Sequence, residues 1–165
     1  MLNRFFPGVP KPAVGLGLAG LVPFYACAVA AVALPGPGAQ AYALTLLLAY
    51  GAIILSFLGG VHWGLAMAGF GAPSVLQPMD HPPKSMSWKR LGWSVAPSIA
   101  GWAAFLHPNA EVGLVILMAA FLATLLGDLK AMEAEAAPTW YLPLRHVLTG
   151  LVLVALGIGL GHMLL

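Results

Sequence analysis

The chain has 165 residues and a formal net charge of +2; residues of the AVILMFWYC set make up 61% of it and charged residues only 7%. A soluble domain usually carries about a quarter charged residues, so a water-exposed surface is hard to build here, and the solvent implied is lipid. Seven scattered Lys and Arg leave no nucleic-acid footprint, and the lone Cys27 excludes an internal disulfide and a multi-Cys metal site.

A single transmembrane domain over residues 1–165 is expected, all-α, with five membrane-spanning helices. Residues 1–12 hold Arg4, Lys11 and three prolines and read as an irregular arm. The first span covers about 13–34 and ends at the turn Pro35-Gly36-Pro37-Gly38. The second covers about 41–68. Residues 69–90 read as a loop, with Pro73, Pro78, Asp80, Pro82, Pro83 and Lys84. The third span, about 91–106, stops at His107-Pro108-Asn109. The fourth covers about 112–127, and a polar loop follows, whose Glu133 and Glu135 can extend the helix. The fifth covers about 144–165. At roughly 1.5 Å per residue, spans one, two and five cross a core about 30 Å thick. Spans three and four reach across if three starts near Trp88 and four continues past Asp128. A β-barrel is disfavoured, because no alternating pattern of about ten residues recurs.

The charges check this count. With five spans, the N-terminal arm, the second loop and the fourth loop share one side. They hold Arg4, Lys11, Lys84, Lys89, Arg90, Lys130 and Arg145, which is every Lys and Arg in the chain. The positive-inside rule then puts the N-terminus inside and the C-terminus outside. A competing reading takes the basic arm, the apolar run and Ala28-Val29-Ala30 as a cleaved signal peptide; the apolar run continues past those small residues, which argues against it.

Polar groups inside a bilayer are costly, so each needs an account. His62 lies about two turns before the inner end of span two. Asp128 closes span four, and Arg145 and His146 open span five on the same side. These four can meet in the inner leaflet, where they would protonate, hold an anionic head group or lock helices through an Asp128–Arg145 pair. The plainer alternative is a set of helix-end residues at the interface, with Arg145 snorkelling to water. A haem reading pairs His62 with His146 and His107 with His162 as two bis-histidine sites; it is weak because His107 and His162 sit at span ends. No cofactor and no metal is expected.

Pro23 deprives the carbonyl of Ala19 of its helical donor, and Pro97 does the same to Trp93, so each predicts a bend. Ser94 and Ser98 flank Pro97 and can supply donors. Small residues at Gly60-x-x-x-Gly64, Ala119-x-x-x-Ala123-x-x-x-Gly127 and Gly157-x-x-x-Gly161 predict close helix packing, within the chain or between copies. Trp63, Trp88, Trp93, Trp140 and Tyr141 fall near the inner interface, as an aromatic belt would.

The run Tyr50-Gly51-Ala52-Ile53-Ile54-Leu55-Ser56-Phe57-Leu58-Gly59-Gly60-Val61-His62-Trp63-Gly64 resembles the transmembrane protein 69 family, also labelled domain-of-unknown-function 3429. So do Leu16-Gly17-Leu18-Ala19-Gly20-Leu21-Val22-Pro23-Phe24 and Ser94-Val95-Ala96-Pro97-Ser98, with weaker matches at Gly127-Asp128 and from Pro138 to Arg145. The resemblance covers nearly the whole chain. It implies a five-helix inner-membrane protein of a proteobacterium or a mitochondrion and supplies no activity. It points to Pro23, His62, Trp63, Pro97, Asp128, Trp140, Tyr141 and Arg145 as motif residues.

The function expected is that of a non-enzymatic, multi-pass protein of the cell inner membrane, acting as an accessory or assembly factor of a larger membrane complex. The rival is a small-molecule or lipid-binding carrier that uses the inner-leaflet polar cluster. A carrier needs a polar cavity reaching the midplane, and the sequence puts almost no ionisable group there, which favours the accessory role. The partners expected are membrane lipids, with a membrane-protein partner or a second copy of the chain.

Overall fold

The computed structural model describes residues 8–68, 87–133 and 138–164. The readings made of Arg4, of Lys84 and its proline-rich loop, and of Glu135 lie outside the described residues. Among the described residues there are only helices and short turns: α1 (Lys11–Ala19), α2 (Leu21–Ala33), α3 (Pro37–Met67), α4 (Trp88–Leu106), α5 (Ala110–Glu133) and α6 (Tyr141–Leu164). Four of the described segments are long and apolar enough to cross a membrane: Lys11–Ala33, which joins α1 and α2, then Pro37–Met67, Ala110–Met132 and Tyr141–Leu164. Helix α4 is not among them. Its 19 residues would reach roughly 28 Å, but Lys89, Arg90, Ser94 and Ser98 dilute its apolar character.

The helix ends follow local chemistry. Gly36 sits at φ 91°, a left-handed conformation that glycine adopts without strain, and Pro37 then occupies the first turn of α3. A proline there loses no intrahelical bond. The expected start near residue 41 was therefore late. Ser87 Oγ accepts from the Arg90 amide at 3.3 Å, and Asn109 Oδ1 accepts from the Val112 amide at 3.2 Å, two side-chain caps on orphan helix donors. Helix α5 runs on to Glu133. Asp128 therefore lies inside a helix, more than one turn from its end, and does not close it.

The two interior prolines act differently. The first span is interrupted at Gly20, one turn before Pro23. The Tyr50 hydroxyl donates to the Gly20 carbonyl at 3.0 Å, so an α3 side chain satisfies backbone at the break. Helix α4 runs unbroken through Pro97. The Ser94 hydroxyl donates to the Leu91 carbonyl at 2.6 Å; it does not serve the Trp93 carbonyl that Pro97 frees.

Helix α3 packs on α2, α4 and α5, and α6 packs on α1, α2 and α5. Phe24, Leu47, Leu55, Leu114, Leu117, Phe121 and Leu156 form the fully buried interior. The Phe24 ring meets Tyr50 and Phe121 edge-on, at 4.9 and 6.1 Å between centroids, a favoured aromatic geometry. Of the glycines picked out by spacing, Gly127 alone among the described residues lies at a close contact, against the Trp93 indole, and the others that do so lie elsewhere. A Cβ on Gly101 would meet Ala52 Cα at 2.9 Å, one on Gly113 the Ala104 carbonyl at 2.6 Å, and one on Gly59 the Ser94 carbonyl. A Cβ on Gly60, Gly64, Gly157 or Gly161 would meet nothing within 4 Å. Those positions line no close helix contact within the described chain.

Candidate functional site: a buried histidine, aspartate and arginine beside an apolar cavity

Three helices each send one ionisable side chain to a common point. Asp128, from α5, is 0% exposed; Arg145, from α6, is 5% exposed; His62, from α3, is 7% exposed. Arg145 Nε donates to Asp128 Oδ2 at 2.8 Å. His62 Nε2 lies 2.8 Å from Asp128 Oδ1, off the line of a well-formed hydrogen bond. One carboxylate thus faces a partner on each oxygen, and it ties α5 to both α3 and α6. An isolated carboxylate in so apolar a place would be prohibitive. The arginine compensates its charge, and a charge-assisted contact of this length is among the stronger hydrogen bonds.

Backbone geometry brings these residues to one depth. Helices α5 and α6 are joined by a short connection and pack together. Arg145 is one turn into α6, and Asp128 is one turn and a half before the end of α5. On α3, His62 continues the buried stripe of Leu55, Leu58 and Gly59 at helical spacing. Gly59 on that stripe sits against the Ser94 carbonyl of α4, and Gly127, next to Asp128, sits against the Trp93 indole. The α4 residues Trp93 and Ser94 thus close the cluster from another side.

His146 does not join it. That side chain is exposed, and its Nδ1 lies 3.0 Å from the Leu142 carbonyl of its own helix. The His62–His146 pairing that a haem reading requires is not formed, because the His146 ring points outwards from α6 while His62 is buried. His107 is likewise engaged locally: its Nδ1 accepts from the Asn109 amide at 3.1 Å. Trp63 is 40% exposed and points away from the cluster. Trp140 packs with Val9, Val14 and Leu144 and meets the Tyr141 ring edge-on at 6.2 Å. It is a wall residue as well as a neighbour of the interface.

A cavity of about 450 Å³ lies beside the cluster, between the first span, α3 and α6. Its wall is nearly all apolar, with Gly17, Phe24, Leu58 and Trp140 among its members. The exceptions come from one face of α6: Tyr141, Arg145 and Thr149 all line it. The Arg145 Nη2, the Thr149 Oγ1 and the Tyr141 hydroxyl are buried without a completed hydrogen bond, although the tyrosine faces the Asp128 carboxylate. Buried polar groups are ordinarily satisfied, so three orphans on one cavity wall call for a partner. Sequence reading passed over Thr149 and took Tyr141 as an aromatic-belt and family-motif residue. The signal was the polar triplet at positions 141, 145 and 149, four residues apart on one helical face.

Residues 9–161 match the family described as "Protein of unknown function (DUF3429)". The chain is 35% identical over 144 residues to transmembrane protein 69 of Xenopus tropicalis, covering 85% of this chain and 50% of that protein. It is 30% identical over 143 residues to transmembrane protein 69 of Mus musculus, covering 85% of this chain and 51% of that one. The chain thus spans about half the length of these curated relatives. No solved structure matches it. With four described segments long and apolar enough to cross a membrane and a family match that takes in all three members of the buried cluster, this chain is an integral membrane protein that belongs to the DUF3429 family, alongside the transmembrane protein 69 homologues.

Proposed function

We propose that this protein spans the cell inner membrane five times, N-terminus inside and C-terminus outside, and binds a small amphipathic molecule or lipid without transforming it. The observation that carries the reading is the cavity of about 450 Å³ with an apolar wall and one polar face. That size and that lining, mostly apolar with a few convergent polar groups, are those of small-molecule sites in general. In the sequence, the near absence of ionisable groups at the midplane favours an accessory role. The cavity reverses that preference, because a lipid carried within the bilayer needs no polar path through it. The orientation rests on the charges: Lys11, Lys89, Arg90, Lys130 and Arg145 all fall at or near helix ends on the side of the buried cluster.

Native mass spectrometry of the protein released from mild detergent tests the binding. A small molecule should remain bound to the wild type, and Leu148→Phe, which pushes a ring into the cavity wall, should reduce its occupancy. A protein that emerges without any small molecule in several detergents contradicts the reading. For the topology, reporters fused after Lys11, within residues 69–90 and within residues 128–143 should report the inside. Those at Pro37, Asn109 and the C-terminus should report the outside. An inner loop found outside overturns the five-span count.

A second reading keeps the accessory or assembly role. Helix α4 favours it: among the described helices it packs only on α3 and α5, and it presents Trp88, Ile99 and Trp102 outwards. A helix too polar to rank with the other spans is better placed against a protein than against lipid. Protein partners that co-purify in stoichiometric amount, and are lost on replacing Trp102, would support this role.

A further inference from the structure

The cavity's shape and charge narrow the ligand further than the binding reading does. Its polar face consists of donors. Arg145 Nη2 can only donate and the Thr149 hydroxyl is free to do so, while the Tyr141 hydroxyl is turned to Asp128. A ligand must therefore bring acceptors. Arginine usually selects an anion, but here its charge is already matched by Asp128, which holds Nε at 2.8 Å. Arg145 and Asp128 together sum to zero, and an anionic head would bring a further charge into a site that is almost wholly buried. An uncharged acceptor satisfies the orphan donors without that cost.

The route in is also marked. Helix α1 packs on α2 and α6 and makes no substantial contact with α3. Leu16 of α1 and Phe57 of α3 both line the cavity, and they are 76% and 66% exposed. The cavity therefore opens sideways between these two helices, towards lipid, near the end of the bundle that holds the cluster.

We propose that the cavity takes, from the surrounding lipid, a molecule with an uncharged carbonyl head and an apolar chain. The carbonyl oxygens accept from Arg145 Nη2 and Thr149 Oγ1, and the chain lies along Leu21, Phe24 and Leu58 towards the opening. This inference rests on the binding reading above and adds the class of head group. Two sources share that chemistry, a quinone and a neutral ester lipid.

Three probes of equal chain length separate the possibilities: a decyl-substituted benzoquinone, monodecanoylglycerol and sodium decanoate. Each is titrated into the purified full chain in detergent, and the thermal-unfolding midpoint is followed, since a ligand that binds the folded state raises it saturably. The quinone or the glyceride should raise the midpoint, and which of them does so identifies the source. Decanoate should not. Thr149→Val, which keeps the shape and removes the hydroxyl, should raise the half-saturating concentration by about threefold to tenfold, and Thr149→Ala serves where that variant is poorly folded. Decanoate acting most strongly overturns the uncharged head while leaving the binding reading intact. Equal response in wild type, Thr149→Val and Thr149→Ala overturns the placement of the head. If no probe acts, and native mass spectrometry also finds no bound small molecule, the binding reading itself fails.

Discussion

The two ends of this bundle are held together by different physics. At one end, α3, α5 and α6 meet through Leu44, Leu47, Leu114 and Leu156, and glycines leave room for an α3 leucine against α6 and for the α4 backbone against α5. A Cβ on Gly159 would meet Leu47 Cδ2 at 2.9 Å, and one on Gly113 the Ala104 carbonyl at 2.6 Å. At the other end the same three helices meet through His62, Asp128 and Arg145. Lipid chains are as apolar as leucine, so packing an apolar face gains little from leaving the solvent. The apolar end must gain its stability from shape, and shape needs small residues where helices touch. The polar end gains it from charge compensation, because the alternative is an unpaired ion in hydrocarbon. The first end tolerates no added volume. The second tolerates no lost charge.

The sharpest way to break this contrast is to unpair the cluster. Asp128→Asn should cost about 3–5 kcal/mol, as removal of one partner strands a buried charge, measured by denaturant or thermal unfolding in detergent. Arg145→Met should cost a comparable amount. The double variant should cost less than the sum of the two, because neither charge is then left alone. Strict additivity would mean that the two residues are not energetically coupled.

Added volume should matter next. Gly113→Ala places a methyl group against backbone that cannot give way, and a loss of about 1–3 kcal/mol is expected. Tyr50→Phe should follow, at about 1 kcal/mol, the ordinary worth of the hydrogen bond it makes to the Gly20 carbonyl. It should also raise amide exchange around the break in the first span. The smallest effect is expected at Gly60→Ala, within about 0.5 kcal/mol in either direction, because open space surrounds that position. If Gly60→Ala proved as damaging as Gly113→Ala in a protein shown to be monomeric, the shape argument for the apolar end would be wrong. If it proved damaging only in an oligomer, the exposed small-residue face would be an interface between copies.

Much of the architecture is legible in the amino-acid sequence. Low charge and long apolar runs point to a membrane; the backbone in lipid must then be helical or a closed barrel, and the absence of a recurring alternation leaves the helix. The ionisable residues His62, Asp128 and Arg145 stand out because a bilayer makes each one expensive. Chain order alone places Asp128 and Arg145 near one another, across a short connection.

Other features depend on three-dimensional packing, and the reason is the same in each case. Which glycine carries a close contact is decided by the rotation of one helix against its neighbour. Spacing along the chain does not contain that angle, so Gly60 and Gly64 look equivalent to Gly59 and Gly101. Which side chain reaches the backbone at a helix break is also set by packing: Tyr50, which bonds to the Gly20 carbonyl, lies thirty residues away. The environment of His146 follows from its place on α6, one step round the helix from Arg145 and facing outwards. The cavity is the clearest case. It exists because α1 makes no substantial contact with α3 while Arg145 is held in place by Asp128, and a void is a property of the distances between helices, which no residue in the sequence encodes by itself.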